Sequence, residues 1–147
     1  MIIENPLGIS ANGFAALECF HIAGFVLAIG MTALVDFRLL GFGLLKESPG
    51  GIARSFDLWS LGGLIVAVFS GLLIFSTDPD LYYLNWSFIF KMIALVVVVV
   101  LNYTLHRKIV ARNSTSGGAK AVACLSLALW ASVIFGGIFI AFIRGGL

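Results

Sequence analysis

The sequence predicts an all-α integral membrane protein, an antiparallel four-helix bundle with both termini outside. Three observations predict it. Of 147 residues 61% are hydrophobic and only 11% charged, with a mean hydropathy of +1.10, whereas ordinary globular domains carry roughly 25% charged residues. Four stretches are nearly free of charge over about the 20 residues needed to cross some 30 Å of hydrocarbon. Lysine and arginine, finally, are distributed unevenly between the connections. The composition also excludes a nucleic-acid partner: nine Lys+Arg stand against seven Asp+Glu, and no basic run has the interleaved aromatics of a strand-binding groove.

The elements succeed one another within a single transmembrane domain, residues 1–147. The first span runs from about Phe14 to Val35, preceded by Asn12-Gly13 as an N-cap. Pro49-Gly50-Gly51 breaks the first connection, and the second span runs from about Leu58 to Phe75. Asp78-Pro79-Asp80 forms a turn before the third span, about Trp86 to Leu105, which contains the unbroken apolar run Leu95 to Leu101. The flexible segment Asn113 to Gly118 leads to the fourth, about Ala121 to Ile143. The start Met1-Ile2-Ile3-Glu4 lacks the basic residues of a cleavable signal.

Orientation is set by the basic residues. The first connection holds Arg38, Lys46 and Arg54, and the third holds Arg107, Lys108, Arg112 and Lys120; the second connection has none and the tails offer only Arg144. Both termini are therefore expected outside and the first and third connections in the cytoplasm. Tyr82, Tyr83 and Trp86 then belong to an outer aromatic belt.

Ionisable groups inside a span cost roughly 2.5 to 3.5 kcal/mol on insertion scales, so each requires a reason. At 1.5 Å per residue His21 lies roughly 10 Å, and Lys91 roughly 7 to 8 Å, below the outer surface, with Glu18 one turn above His21. Imidazole is the commonest metal ligand among side chains, so His21 is the candidate metal or haem ligand. The alternative is a neutral ring bonded across helices or to Glu18. Lys91 is a candidate second ligand or partner of an anionic group, against an ion pair with Glu18 or snorkelling to the interface. Both side chains are expected to project from antiparallel neighbours into a common cavity, with Arg144 and Glu18 at its rim. Gly24, Gly71 and Gly136 converge on that level and would leave space for a flat ring, although stripes of small residues also simply allow helices to approach.

A second polar set, Asp36, Arg38, Asn102 and His106, belongs to the opposite end, where Asp36 is expected to pair with Arg38 or His106. His21 and Asp36 are fifteen residues apart, or roughly 22 Å along a helix. A haem held by both histidines of one chain is thereby excluded. Trp59 and Trp130 read as belt and packing residues. Cys19 and Cys124 sit at opposite faces and cannot bridge.

Phe20-His21-Ile22-Ala23-Gly24, then Asp36-Phe37-Arg38-Leu39-Leu40-Gly41, resembles a family of small bacterial four-span proteins, as do Phe90-Lys91 with Asn102 and His106, and Ser126, Trp130 and Gly136. More remotely, the layout is similar to the HemJ type of protoporphyrinogen oxidase and to CopD-like membrane domains. This likeness implies a multi-pass protein of the bacterial inner membrane with haem b held at His21 and Lys91. The histidine that HemJ carries about three turns after its lysine corresponds here to Asn102, with His106 one turn later. The function expected is haem-b-dependent electron transfer between a membrane quinol and a redox partner. The alternatives are a non-catalytic accessory subunit of a larger membrane complex or homo-oligomer, and HemJ-like protoporphyrinogen oxidation. A small transporter switched by Glu18 and Lys91 ranks last, for want of an inverted repeat or a mid-bilayer carboxylate.

The topology is open to a direct check. In a Cys19→Ser, Cys124→Ser background, Asp80→Cys is expected to react with a membrane-impermeant maleimide on intact cells, and Ser114→Cys only after permeabilisation. The reverse pattern would invert the orientation.

Overall fold

The computed structural model describes residues 9–43 and 46–142. Helix α1 spans Ala11–Leu40, α2 Pro49–Phe75, the short α3 Pro79–Tyr83 and α4 Trp86–Leu101; a π-helical turn over Asn102–His106 leads into α5, Arg107–Ala111, and α6 spans Gly117–Phe142. Helix α4, the π turn and α5 run on as one third span, Trp86–Ala111, so that four helices are long and apolar enough to cross a membrane. Among the described residues there is no strand.

The helices outrun the apolar stretches that announce them because a helix ends where its backbone is capped, not where its first charge appears. The Ser10 hydroxyl, rather than Asn12, caps α1, accepting from the Gly13 N–H at 3.2 Å. Arg38 completes the other end of α1 before Gly41, whose φ of 93° closes the helix in the left-handed region that glycine adopts without strain. Helix α2 begins nine residues ahead of Leu58: Ser48 accepts from the Gly51 N–H at 3.0 Å and Pro49 opens the first turn. Arg54 and Asp57 therefore ride on α2 itself. Asp78 caps α3, and Asn85 caps α4 by accepting from the Ser87 N–H at 2.9 Å.

The tightest packing joins α1 to α2. A Cβ added at Gly24 would lie 2.7 Å from both the Ala67 nitrogen and the Gly63 oxygen, and one at Gly63 would lie 2.7 Å from the Ala28 nitrogen and the Gly24 oxygen. Backbones meet here directly, the device by which membrane helices gain close van der Waals contact. Helix α4 packs on α6, α6 on α1, and α2 reaches the third span chiefly through α5. Two apolar clusters fill the bundle. Val35, Leu39, Ile52, Val110 and Ala123 occupy one end, and Ala94, Leu95, Val98, Trp130 and Val133 lie further along. Large apolar side chains such as Phe20, Val26, Phe69, Ile93 and Phe135 remain on the outside, the arrangement suited to acyl chains rather than water.

Gly24→Val places a branched side chain against backbone atoms that cannot turn away. It is expected to lower stability by about 1–3 kcal/mol or more, read as an earlier thermal transition in detergent; Gly30→Ala, whose Cβ meets open space, is expected to leave the transition in place.

Candidate functional site

Each polar set of the sequence becomes a side-chain cluster, one toward each end of the bundle. In the first, α1 carries His21 against α2. Its Nδ1 lies 2.7 Å from the Ala67 carbonyl oxygen and 3.2 Å from Ser70 Oγ. A carbonyl can only accept, so Nδ1 carries the proton and Nε2 presents its lone pair. That lone pair meets Lys91 Nζ of α4 at 3.3 Å. Phe25, one turn along α1, closes the group. Its ring stands edge-on to the imidazole at 4.9 Å, and the Lys91 nitrogen lies 5.0 Å from its centroid, a cation–π distance.

The glycines explain how two such side chains fit between helices. A Cβ at Gly71 would come within 2.8 Å of His21 Cε1; one at Gly136 would meet Lys91 Cβ at 3.1 Å, and one at Gly137 would meet Lys91 Nζ at 3.2 Å. The imidazole therefore lies in the notch of Gly71, and the lysine along Gly136 and Gly137. Gly24 has another role: it faces Gly63 and Ala67 at the α1–α2 crossing and offers no space to a ligand.

His21 and Lys91 thus converge as expected, but from a different arrangement. They come from the first and third spans, which run parallel, and they touch each other rather than flanking a cavity. Glu18 is exposed, and the imidazole bonds to α2 instead. Burial, then the charges of Glu18 and Asp78, raise the Tyr82 phenol above its usual pKa, which places Glu18 toward the aromatic belt. Arg144 lies outside the described residues.

The second cluster joins the same two spans. Asp36, wholly buried, accepts from His106 Nε2 at 2.7 Å, so His106 and not Arg38 is its partner; the Arg38 Nε–H donates to the Glu47 carbonyl at 2.7 Å. Ser126 stands near the Asp36 carboxylate and donates to Asn102 Oδ1 at 3.1 Å. The π turn sets this geometry. The Arg107 N–H reaches back five residues to the Asn102 carbonyl, and the extra residue rotates the remainder of the span by about 100° relative to an unbroken α-helix. The sequence carries no local signal for that turn. Arg107, just beyond it, pairs with Asp57 of α2.

A cavity of about 360 Å³ opens beside this cluster, lined by α1, α2, the π turn, α5 and Trp130 of α6. A shallower one of about 300 Å³ lies between α1 and α2, lined almost wholly by apolar side chains and touching His21's partner Ser70. Among the described residues, two buried polar side-chain atoms have no hydrogen-bond partner, Asp36 Oδ2 and Trp130 Nε1. No group of three or more metal-ligating side chains occurs among the described residues.

Comparison with family models, curated proteins and solved structures finds no match. The site stands on its own geometry. In the first cluster the imidazole has its Nδ1–H anchored to a carbonyl, the orientation that outer-shell partners impose on ligating histidines, and the Lys91 amine stands opposite its Nε2. Two nitrogens bound on opposite sides of one metal lie about 4 Å apart, at about 2 Å per bond. The 3.3 Å found here is a closed contact, with Lys91 Nζ in the place an iron would take on Nε2.

The Asp36–His106 bond gives an asymmetric expectation. His106→Ala strands a buried carboxylate and is expected to cost about 3–5 kcal/mol. Asp36→Ala leaves a ring with no obligatory charge and is expected to cost about 1–3 kcal/mol. The doubly substituted protein is expected to lose less than the sum, all read from unfolding transitions in detergent.

Proposed function

We propose that the chain is a small membrane haem-b protein of electron transfer, with His21 as an axial ligand and Lys91 as second ligand or as partner of a propionate. The observation that supports it is the orientation of His21. Its Nδ1 is anchored at 2.7 Å to the Ala67 carbonyl, and its Nε2 is turned toward the other helix pair. A bound haem would supply a one-electron couple at that level of the membrane. The residues themselves fix the imidazole tautomer and orientation, and hold a lysine on a flexible arm across from it. A membrane quinol and a redox partner protein are the proposed electron donor and acceptor, and the bacterial inner membrane the proposed location.

The closed 3.3 Å contact favours a second reading. On it, His21 and Lys91 are a polar tie between helix pairs, and the protein is an accessory subunit, its apolar outer faces covered by lipid or by other subunits. Interhelical bonds of this kind contribute about 0.6 kcal/mol on average and up to about 1.7.

The visible spectrum of the purified protein decides between them. The haem reading expects a Soret band with sharp α and β bands on reduction. These are lost in His21→Ala while the helical circular dichroism is retained, and shifted in Lys91→Met. A colourless wild-type protein, unchanged on incubation with hemin and purifying only with other subunits, would overturn it in favour of the tie.

A further inference from the structure

The larger cavity and the buried Asp36–His106 pair meet at the His106 ring. The cavity, about 360 Å³, lies at the end of the bundle that carries the basic connections. Hydroxyls of Thr32, Ser60 and Tyr103 line it, and the exposed Arg54 and Arg107 bring it to the surface. Such a lining suits water, with room for several molecules at about 30 Å³ each.

Asp36 is sealed from this space: it is 0% exposed, and its Oδ2 is buried without a partner. His106 is the link between them, because it lines the cavity and bonds to the carboxylate. Its Nε2–H donates to Asp36 Oδ1 at 2.7 Å, so in the neutral ring Nε2 holds the hydrogen and Nδ1 the lone pair. Nδ1 bonds to no described residue. Among the described residues only Asp36 Oδ2 and Trp130 Nε1 are both enclosed and unpartnered, so Nδ1 is not enclosed. It is the nitrogen through which the ring meets the cavity.

Charge favours a proton at that atom. With a neutral ring, the pair holds one uncompensated negative charge away from water. A proton on Nδ1 makes the ring cationic and the pair neutral, and the Nε2–H bond to Asp36 is kept. The charged groups near the ring come from three spans. Helix α1 gives Asp36, while its Arg38 donates to the Glu47 carbonyl instead. Helix α2 gives Arg54 and Asp57 to the cavity, and the third span gives Arg107 and the Tyr103 phenol; α6 adds only the neutral Trp130 there. Arg107 and Asp57 neutralise each other. Arg54 is exposed to solvent, its Nε–H on the Gly50 carbonyl, so the carboxylate in direct contact outweighs it.

We infer that His106 Nδ1 is a proton-binding site, loaded through the larger cavity from the end that carries the basic connections, with Asp36 as counter-ion. The proton adds to the Nδ1 lone pair, no bond breaks, and the pair passes from one negative charge to none. The inference is independent of haem binding at His21, which belongs to the opposite end of the bundle.

The test uses full-length protein in nanodiscs with nitrogen-15-labelled histidine. The chain has two histidines, and loss of one set of ring signals in His106→Gln, or in His21→Ala if the former does not fold, assigns the other. As the pH is lowered from about 8 to about 5, His106 is expected to pass from the Nε2–H tautomer to the doubly protonated ring, with helical circular dichroism unchanged. Asp36→Asn keeps an acceptor for Nε2–H and removes the charge; it is expected to weaken proton affinity about tenfold, moving the midpoint to lower pH. Arg54→Gln is expected to strengthen it about twofold. Access is read separately. In a Cys19→Ser, Cys124→Ser background, Ser60→Cys is expected to react with a water-soluble methanethiosulfonate about tenfold faster than Val68→Cys, since Val68 lies on the outer apolar face. A His106 ring that keeps one protonation state over the whole range, or changes it only as helical signal is lost, would overturn the assignment. So would a midpoint that ignores Asp36→Asn, or equal reaction at Ser60→Cys and Val68→Cys, the mark of a dry cavity.

Discussion

The approach of α1 to α2 at Gly24, Gly63 and Ala67 is the constraint on which the rest of the bundle depends. Lipid tails are as apolar as the helix faces they would replace, so burial of leucine and valine gives little drive for helices to associate. Backbone contact supplies what burial does not. With Cβ positions 2.7 Å from the facing backbone, neither helix can rotate far without opening the contact. That fixed rotation delivers His21 to the Ala67 carbonyl and the notch of Gly71.

Against that rigid pair, the third span is joined to α1 by polar bonds. His21 meets Lys91, and Asp36 meets His106, each across 70 positions of sequence. The two spans run in the same direction, so one bond lies toward each end of the bundle. The π turn between Lys91 and His106 resets the helical phase, allowing one continuous span to present Lys91 to His21 and His106 to Asp36. Helix α6 closes the structure by packing on both α1 and α4, and offers Gly136 and Gly137 to Lys91 and Ser126 to the Asp36 cluster. Where the π turn and α5 face α1 and α2, with Trp130 of α6 beside them, the larger cavity opens.

Much of this is legible in the sequence because charge is so expensive in hydrocarbon. The absence of charge locates four spans, and the few polar residues within them, His21, Lys91, Asp36, Asn102 and His106, are ones that make contacts between helices. Their pairing is less legible. Glu18 is nearer to His21 in sequence than Phe25 is, yet it is Phe25 that lies on the ring. Arg38 is two residues from Asp36 yet bonds elsewhere. Trp130 reads as a packing residue, and its buried N–H is visible only once its neighbours are known to offer no acceptor. The ends of the helices are displaced too: Ser48 and Pro49 start α2 ahead of two charged residues, which hydropathy alone reads as loop.

Four apolar helices, with a sparse polar inventory sorted to two levels, can be read from the chain alone, because both depend on composition and on distance along a helix. Which polar groups meet was decided by tertiary structure, because partner choice depends on how each helix is turned about its axis. That turn is set by glycine contacts between distant segments and by one extra residue in a π turn, neither of which has a local period in the sequence. The same is true of the space between helices: His21 and Lys91 are brought into contact with no room between them, and the larger cavity opens at the other end.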